Sequence, residues 1–200
     1  MTQPSLRERS KERRRRAIQL AGMRLFAEQG YDSTTVAQIA AAAEVSTRSV
    51  STYFPTKLDI ATSSSDAASN RLTASLSARP LGKTVVAVFL DWMRHEPDFT
   101  DQEEWQLRAT MLSNNPILAS TGTPHSAALL RVTARAVAQD LGEDPASMAV
   151  QILLGVLAGV VLQFQVVLRD ASTEDEFLRA AHVALTGAFE GLSDNRHYQM

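Results

Sequence analysis

Cysteine is missing from the 200 residues of this chain. Its absence excludes a disulfide framework, a thiol redox sensor and any zinc site built from thiolates. Hydrophobic residues make up 44% and charged residues 21% of the chain, which is ordinary for a globular protein with a sizeable core. The composition suits the reducing cytoplasm, and we expect the protein to be cytoplasmic.

Signals for export or membrane insertion are also weak. Residues 1–16 are polar and basic, so a signal peptide is not expected. Residues 148–168 contain no charge and are long enough to span a bilayer. Three glutamines within this stretch, the lack of a basic flank and the amphipathic pattern that follows favour a helix buried between other helices or subunits. We therefore expect no membrane association.

The common catalytic motifs are absent from the sequence. No G-x-S-x-G, G-x-G-x-x-G or H-E-x-x-H occurs, and the four histidines lack metal-ligand spacing. The run Gly82-Lys83-Thr84 matches the end of a phosphate-binding loop, but Ser77 stands where that loop needs its first glycine. The sequence predicts no catalytic residue, no metal site and no cofactor.

Charge is distributed unevenly along the chain. Residues 1–60 contain ten Lys and Arg against six Asp and Glu, a net charge of +4, so the remainder carries −6. A basic segment joined to an acidic one indicates that only the first meets a polyanion. Chance variation in surface charge explains the same pattern equally well.

Hydrophobic periodicity predicts helices along almost the whole chain and no strand, so the predicted fold class is all-α. Capping patterns at Thr35 with Gln38, at Ser46, and at Thr56 with Asp59 mark three helix starts. The predicted helices cover residues 9–29, 35–40, 46–54, 56–78, 84–95, 101–112, 125–141, 146–168 and 173–192. Glycine- and proline-containing breaks separate the later ones.

Residues 35–54 have the pattern of a helix-turn-helix, in which two short helices meet at a tight turn. The apolar side chains of Val36, Ile39 and Val50 face inward in this pattern. The second helix keeps small polar side chains and one long cation, Arg48, on its outer face. Small side chains let a helix sit deep in the major groove, where Arg48 can contact guanine or a phosphate.

The run RLFAEQGYDSTTVAQIAAAAEVSTRSVSTYFPTKLDI resembles the signature of the tetracycline-repressor (TetR) family of DNA-binding regulators. The matching elements are F-x-x-x-G-Y, T-T-V-x-x-I-A, V-S and Y-F-x-x-K. The resemblance implies a homodimer with a three-helix helix-turn-helix domain, residues 1–55, that includes a basic N-terminal arm. Residues 56–200 would then form a helical domain for ligand binding and dimerisation.

The resemblance also implies which residues contact DNA. Thr35, Tyr53 and Lys57 match phosphate-contacting positions, and Thr47, Arg48 and Ser49 match the base-reading face. The arginines of residues 13–16 would reach phosphates or a minor groove. The predicted DNA-binding residues are Arg13, Arg14, Thr35, Ser46, Thr47, Arg48, Ser49, Thr52, Tyr53 and Lys57.

Two positions depart from the family pattern. Glu44 stands in the turn where the family has glycine, so the turn is either strained or built differently. Ser51 stands where the family commonly has an aromatic side chain that reaches a phosphate. Neither departure changes the packing pattern, although both can alter the usual DNA contacts.

The C-terminal residues carry predictions of a ligand pocket and a dimer interface. The resemblance implies an inducer cavity among the helices between residues 84 and 168. Large apolar side chains and one amide in this stretch are the candidates for lining it around an apolar or aromatic molecule: Phe89, Trp92, Met93, Trp105, Met111, Gln163 and Phe164. Ordinary core packing is the alternative for each of them. The predicted interface is a four-helix bundle formed by two helices from each subunit, with Gly155, Gly159, Phe177, Ala181, Leu185 and Leu192 as its residues.

The helix-turn-helix pattern predicts a DNA-binding regulator, not an enzyme. The family resemblance implies that it responds to a ligand and that it is most often a repressor, although the sequence does not distinguish repression from activation. It would bind a palindromic double-stranded DNA operator as a homodimer and be released by a small molecule. The alternatives are a helical protein-interaction module that does not bind DNA and, with less support, a small-molecule enzyme. Salt-dependent operator binding separates the first reading from the second, and turnover would identify the third.

Overall fold

The computed structural model describes residues 5–166 and 171–194. Every regular element in these residues is helical, which confirms the all-α prediction. The helices are α1 (Leu6–Gln29), α2 (Val36–Ala42), α3 (Thr47–Tyr53), α4 (Lys57–Ser77), α5 (Val85–His95), α6 (Gln102–Asn114), α7 (Pro116–Ser120), α8 (Pro124–Leu141), α9 (Met148–Val166) and α10 (Ala171–Asp194). A 3-10 turn, Glu96–Phe99, lies between α5 and α6.

Two differences from the predicted helices have clear physical causes. Helix α1 begins before the predicted residue 9 because Ser5 and Glu8 form a capping box: Ser5 Oγ accepts from the Glu8 amide (3.2 Å), and the Glu8 carboxylate accepts from the Ser5 amide (2.7 Å). These hydrogen bonds lower the pKa of Glu8. Helix α7 was not predicted, and Pro116 occupies its first turn, where a missing amide is tolerated. The predicted end of α9 at residue 168 lies outside the described residues.

The chain divides into two compact units. The N-terminal unit consists of the chain up to Ser64 together with Gln106–Thr121, and the C-terminal unit consists of Ser65–Trp105 and the chain from Gly122 onward. The division falls inside α4 and inside α6, so each of these helices belongs to both units. The boundary at residue 55 stays a prediction.

The N-terminal unit packs α1, α2 and α3 around a small apolar core. Ile18, Phe26, Ile39, Val50 and Ile60 are at most 1% exposed. Gly22 on α1 makes this packing possible, because a Cβ built there would lie 2.5 Å from Ile60 Cγ2. Helix α1 therefore approaches α4 closely at Gly22, while α2 packs on α1 and α3 packs on α2.

The C-terminal unit is a bundle in which α9 packs on α8 and α10, and α5 packs on α8 and α10. Its core contains Leu72, Met93, Val137, Leu153 and Leu185, all fully buried. Polar groups also cross between its helices: the Arg79 guanidinium lies 2.6 Å from the Asp140 carboxylate, which also accepts from the Val85 amide (2.6 Å). Asp140 therefore satisfies an amide at the start of α5.

Candidate nucleic-acid interface

Helix α3 presents the side chains that the sequence predicts to read bases. Ser46 is its N-cap, with Oγ accepting from the Ser49 amide (3.1 Å). Thr47, Arg48 and Thr52 are exposed, Ser49 is half-buried, and Val50 is buried against the core. Helix α3 therefore has an outer face of small polar side chains with one cation, Arg48, and an inner face that packs on the core through Val50.

The hydroxyl groups of α3 are partly used within the helix. Ser51 Oγ donates to the Thr47 carbonyl (3.3 Å), and Thr52 Oγ1 donates to the Arg48 carbonyl (2.9 Å). Ser46 Oγ and Ser49 Oγ lie 2.9 Å apart and share a hydrogen bond. A hydroxyl oxygen that donates in this way keeps lone pairs that can accept from a base or an amide.

The turn between α2 and α3 has a left-handed residue where the family has glycine. Glu44 has φ +54°. The Val45 amide donates to the Ala40 carbonyl (2.9 Å) and the Glu44 amide to the Ala41 carbonyl (3.1 Å), the two hydrogen bonds of a Schellman motif. Of the two possibilities left open by the sequence, the structure has the strained turn, with a glutamate in a left-handed conformation that favours glycine.

Replacing Glu44 with glycine is expected to stabilise the protein by about 1 kcal/mol, because glycine has no Cβ to strain the left-handed turn. Glu44→Ala is the matched control, since it removes the same charge but keeps the Cβ. Urea unfolding of both variants measures the difference. Equal stability of Glu44→Gly and Glu44→Ala would show that the turn carries no strain.

Lys57 lies at the start of α4 and is engaged within the protein. Its Nζ donates to the carbonyl oxygens of Tyr31 (2.8 Å) and Thr34 (2.9 Å) and lies 4.2 Å from the centre of the Tyr31 ring. The pKa of Tyr31 is raised, mainly by burial and further by Asp32 and Asp59. An ammonium group has three N–H donors, so one remains for an outside acceptor such as a phosphate.

The other predicted phosphate contacts lie on α1, α2 and α3. Thr35 is the exposed N-cap of α2, where its Oγ1 accepts from the Gln38 amide (3.2 Å), and Tyr53 is half-buried at the end of α3. Arg13 and Arg14 are exposed residues of α1. Both lie within the helix that the sequence predicts over residues 9–29, and their contact with DNA stays a prediction.

Sequence reasoning missed two polar contacts that link α6 to the rest of the N-terminal unit. Asn115 bonds to Tyr31 and Phe26 at the end of α1, and Arg108, fully buried on α6, donates from Nη1 to Ser64 Oγ (3.1 Å). The sequence offered only indirect signals: an arginine within an apolar helical pattern, and an asparagine in a predicted break.

The predicted ligand-binding residues do not share one environment. Trp92, Trp105 and Phe164 form an aromatic cluster in the C-terminal unit, with ring centroids 5.5 and 4.9 Å from Phe164. Phe89 and Met93 are buried in the same unit, whereas Met111 belongs to the N-terminal unit. The seventh candidate, Gln163, is exposed on α9. Trp92 also lines a cleft of about 430 Å³ beside Arg71 and Phe99.

The predicted interface residues do not share one surface: those on α9 are exposed, whereas those on α10 face the core of the subunit. Gly155 and Gly159 are exposed on α9. Ala181 and Leu185 are buried inside the subunit, and Phe177 and Leu192 are half-buried against its core. The periodic stripe predicted on α10 is therefore its inward face, which corrects the prediction for Ala181 and Leu185. The exposed side of α10 carries a stripe of small and apolar residues beside the exposed Arg179, His182 and Glu190; the stripe consists of Ala180, Val183, Ala184, Gly187 and Gly191.

The exposed face of α9 and the exposed stripe of α10 are apolar and contain small residues. Ile152 and Leu162 on α9 and Val183 on α10 are 49%, 41% and 72% exposed. Helix α9 is long and apolar enough to cross a membrane by length and composition, and 28% of its most apolar stretch is buried inside the chain. A Cβ at Gly155 or Gly159 would meet nothing within 4 Å, so packing within the subunit does not require these glycines.

A capped helix-turn-helix on an apolar core, followed by a larger helical unit, defines a helix-turn-helix DNA-binding regulator. Two family descriptions match the chain: "Bacterial regulatory proteins, tetR family" over residues 18–63, and "MftR C-terminal domain" over residues 79–190. The second covers more than half of the chain. The chain belongs to the TetR family of bacterial transcriptional regulators.

One relative and two solved structures illustrate these similarities. The HTH-type transcriptional regulator TcmR of Streptomyces glaucescens is 38% identical over 80 residues, which cover 40% of this chain and 35% of TcmR. The match therefore spans about a third of that relative's length. Salmonella enterica GusR is 22% identical, with a TM-score of 0.56, and covers 88% of this chain and 95% of its own.

The second structure is NalD, the secondary repressor of the MexAB-OprM multidrug efflux pump in Pseudomonas aeruginosa. It is 20% identical, with a TM-score of 0.58, and covers 92% of this chain and 97% of its own. At these identities the two structures show a shared fold. They support the division of the chain into a helix-turn-helix region and a C-terminal helical region.

Proposed function

We propose that the protein is a transcriptional repressor that binds a palindromic DNA operator as a homodimer and is released by a small molecule. The observation that carries this proposal is the arrangement of α3 in a TetR-family chain: Thr47 and Arg48 are exposed on one side of the helix, and Val50 is buried in the core on the other. Because operator DNA lies in the cytoplasm of a bacterium, the protein would act there.

The DNA contacts fall into two groups in this proposal. Thr47, Arg48 and Ser49, with Ser46 and Thr52 beside them, would meet base edges in the major groove. Thr35, Tyr53 and the remaining donor of Lys57 would contact phosphates. The outward arginines of α1, Arg13 and Arg14, would add a salt-dependent attraction to the DNA backbone.

The second copy of the chain would cover the outward faces of α9 and α10. Four exposed glycines at Gly155, Gly159, Gly187 and Gly191 have no neighbour within 4 Å of an added Cβ. Glycine inside a helix is unfavourable by about 0.5–1 kcal/mol relative to alanine, so four of them need a reason outside the subunit. Close packing of these helices against their copies, around a two-fold axis, supplies that reason.

The inducer would bind in the C-terminal unit, beside the aromatic cluster of Trp92, Trp105 and Phe164. Aromatic walls with few polar groups suit an apolar or aromatic molecule. Its occupancy would reach the DNA-binding helices through α4, because the division between the two units falls between Ser64 and Ser65 of this helix. Serine and threonine side chains compete for backbone hydrogen bonds, so the Thr62–Ser65 turn is intrinsically weak.

Stiffening the Thr62–Ser65 turn of α4 is expected to change the inducer's ability to release the protein from DNA more than it changes the affinity of the ligand-free protein for its operator. The suitable variant is Ser63→Ala with Ser65→Ala, because Ser64 must remain to accept from the buried Arg108. We expect the inducer dose for half release to change about fivefold or more, while ligand-free operator affinity stays within about twofold. Reporter assays against a library of aromatic compounds measure both, and an unchanged dose would remove α4 as the transmitter.

Footprinting with the purified chain upstream of its own gene and of the divergent neighbouring gene tests the proposed function. The expected result is protection of an inverted repeat whose half-sites lie about one helical turn apart, roughly 34–36 Å. No protection on that DNA or on any duplex selected from a random library would favour the protein-interaction alternative. Loss of transcription from a promoter carrying the repeat would identify repression, and a gain would identify activation.

A further inference from the structure

The end of α1 and the loop after it are held by the side chain of Asn115, which stands between α6 and α7. Asn115 Oδ1 accepts from the Tyr31 amide (2.8 Å). Its Nδ2 donates to the carbonyl oxygens of Phe26 (3.0 Å) and Met111 (2.8 Å). The adjacent Asn114 is exposed and donates one hydrogen bond, to the Ala27 carbonyl (2.9 Å). All of these residues belong to the N-terminal unit.

The chemistry of this site calls for a primary amide. The Tyr31 amide needs an acceptor, and the Phe26 and Met111 carbonyl oxygens, which already accept from the Gly30 and Asn115 amides, each take a second donor. The orientation of the Asn115 amide is therefore determined. A carboxylate at residue 115 keeps the acceptor and loses both donors, and alanine loses all three hydrogen bonds.

The loop that Asn115 holds also contains the groups that hold Lys57. The Tyr31 carbonyl accepts from the Thr34 amide (3.2 Å) and from Lys57 Nζ, which also bonds to the Thr34 carbonyl. Thr34 directly precedes Thr35, the N-cap of α2. One short loop therefore joins Asn115 to Lys57 and to the first residue of the helix-turn-helix.

We infer that Asn115 is a positioning residue for DNA binding, because its side chain sets the loop that places Lys57 and Thr35. This inference rests on the proposed function. It adds a requirement for one side chain that lies outside the DNA-binding motif.

The test compares Asn115→Ala and Asn115→Asp with Asn114→Ala, the matched control that removes a single exposed hydrogen bond. The probe is an operator duplex selected from a random library with the parent protein. We expect Asn115→Ala to raise the operator Kd about tenfold, Asn115→Asp to fall between it and the parent, and Asn114→Ala to stay within about twofold. Thermal melts set a temperature at which every variant is folded.

Amide hydrogen exchange distinguishes a positioning role of Asn115 from a role in stability alone. Operator binding should slow amide exchange at Tyr31 and along α6 in the parent and in Asn114→Ala, and the effect along α6 should disappear in Asn115→Ala. The inference is overturned if either Asn115 variant melts lower than the parent but binds the operator and protects α6 as the parent does. Failure of the parent to bind any duplex would instead overturn the proposed function. In that case amide exchange at Tyr31 in the free proteins would still test whether Asn115 holds the loop after α1.

Discussion

Replacing Arg48 with alanine is expected to weaken operator binding by about 1–3 kcal/mol per half-site and to relax the preference for one base pair. For a dimer on two half-sites this is about 2–6 kcal/mol, or roughly 30-fold to 20,000-fold in Kd. The effect should be large because Arg48 is the one cation on the outer face of α3, where the other side chains are small. Arg48 is exposed, so its removal should leave the fold intact.

Arg131→Ala is the control for this substitution, since it removes the same charge from an exposed position on α8 in the C-terminal unit. Binding to the operator and to a shuffled duplex should be measured side by side. An equal loss on both duplexes for Arg48→Ala would make Arg48 a backbone contact. Lys57→Ala, in contrast, should weaken both duplexes alike and lower the salt slope by about one phosphate per subunit.

Placing arginine at Gly159 is expected to separate the dimer into monomers. The added side chain would meet no atom of its own subunit within 4 Å of its Cβ, so the monomer should fold normally. In the proposed four-helix bundle it would force two helices apart and bury an unpaired charge. We expect the dimer Kd to rise at least a hundredfold, about 3 kcal/mol, and operator affinity to fall with it.

Gly122→Arg is the matched control, because Gly122 is another exposed glycine with nothing within 4 Å of an added Cβ, and it lies in the loop before α8. Sedimentation velocity at micromolar concentration reports the assembly of each protein. A parent chain that sediments as a monomer, or a Gly159→Arg variant that remains a dimer, would rule out the outward face of α9 as the interface.

The helix-turn-helix could be predicted from the sequence because its signals are local. The capping pattern of Thr35 with Gln38 and the N-cap at Ser46 use residues three positions apart, and the structure contains both. The strained turn at Glu44 could be suspected from the family pattern. Its left-handed φ became known only from the backbone, since a different turn was equally possible.

The remaining features depend on contacts between distant residues or on the choice between two similar faces. Asn115 bonds to residues 84 and 89 positions earlier, and no local pattern predicts such a pair. Helix α10 has apolar or small residues on both sides, so periodicity alone could not decide that Leu185 faces inward while Val183 faces outward. Helix α1 begins earlier than the predicted residue 9 because Ser5 and Glu8 cap it, a local signal that the sequence contains and the prediction missed.

The most direct test of the central claim is the salt dependence of binding to the selected operator and to a shuffled duplex of the same length. The protein should bind the operator at least about a thousandfold more tightly at physiological salt. Both affinities should fall steeply between about 50 and 200 mM salt, because arginine and lysine contacts release counterions from the phosphates. Equal affinity for the two duplexes, or binding that does not respond to salt, would contradict sequence-specific recognition of DNA by α3.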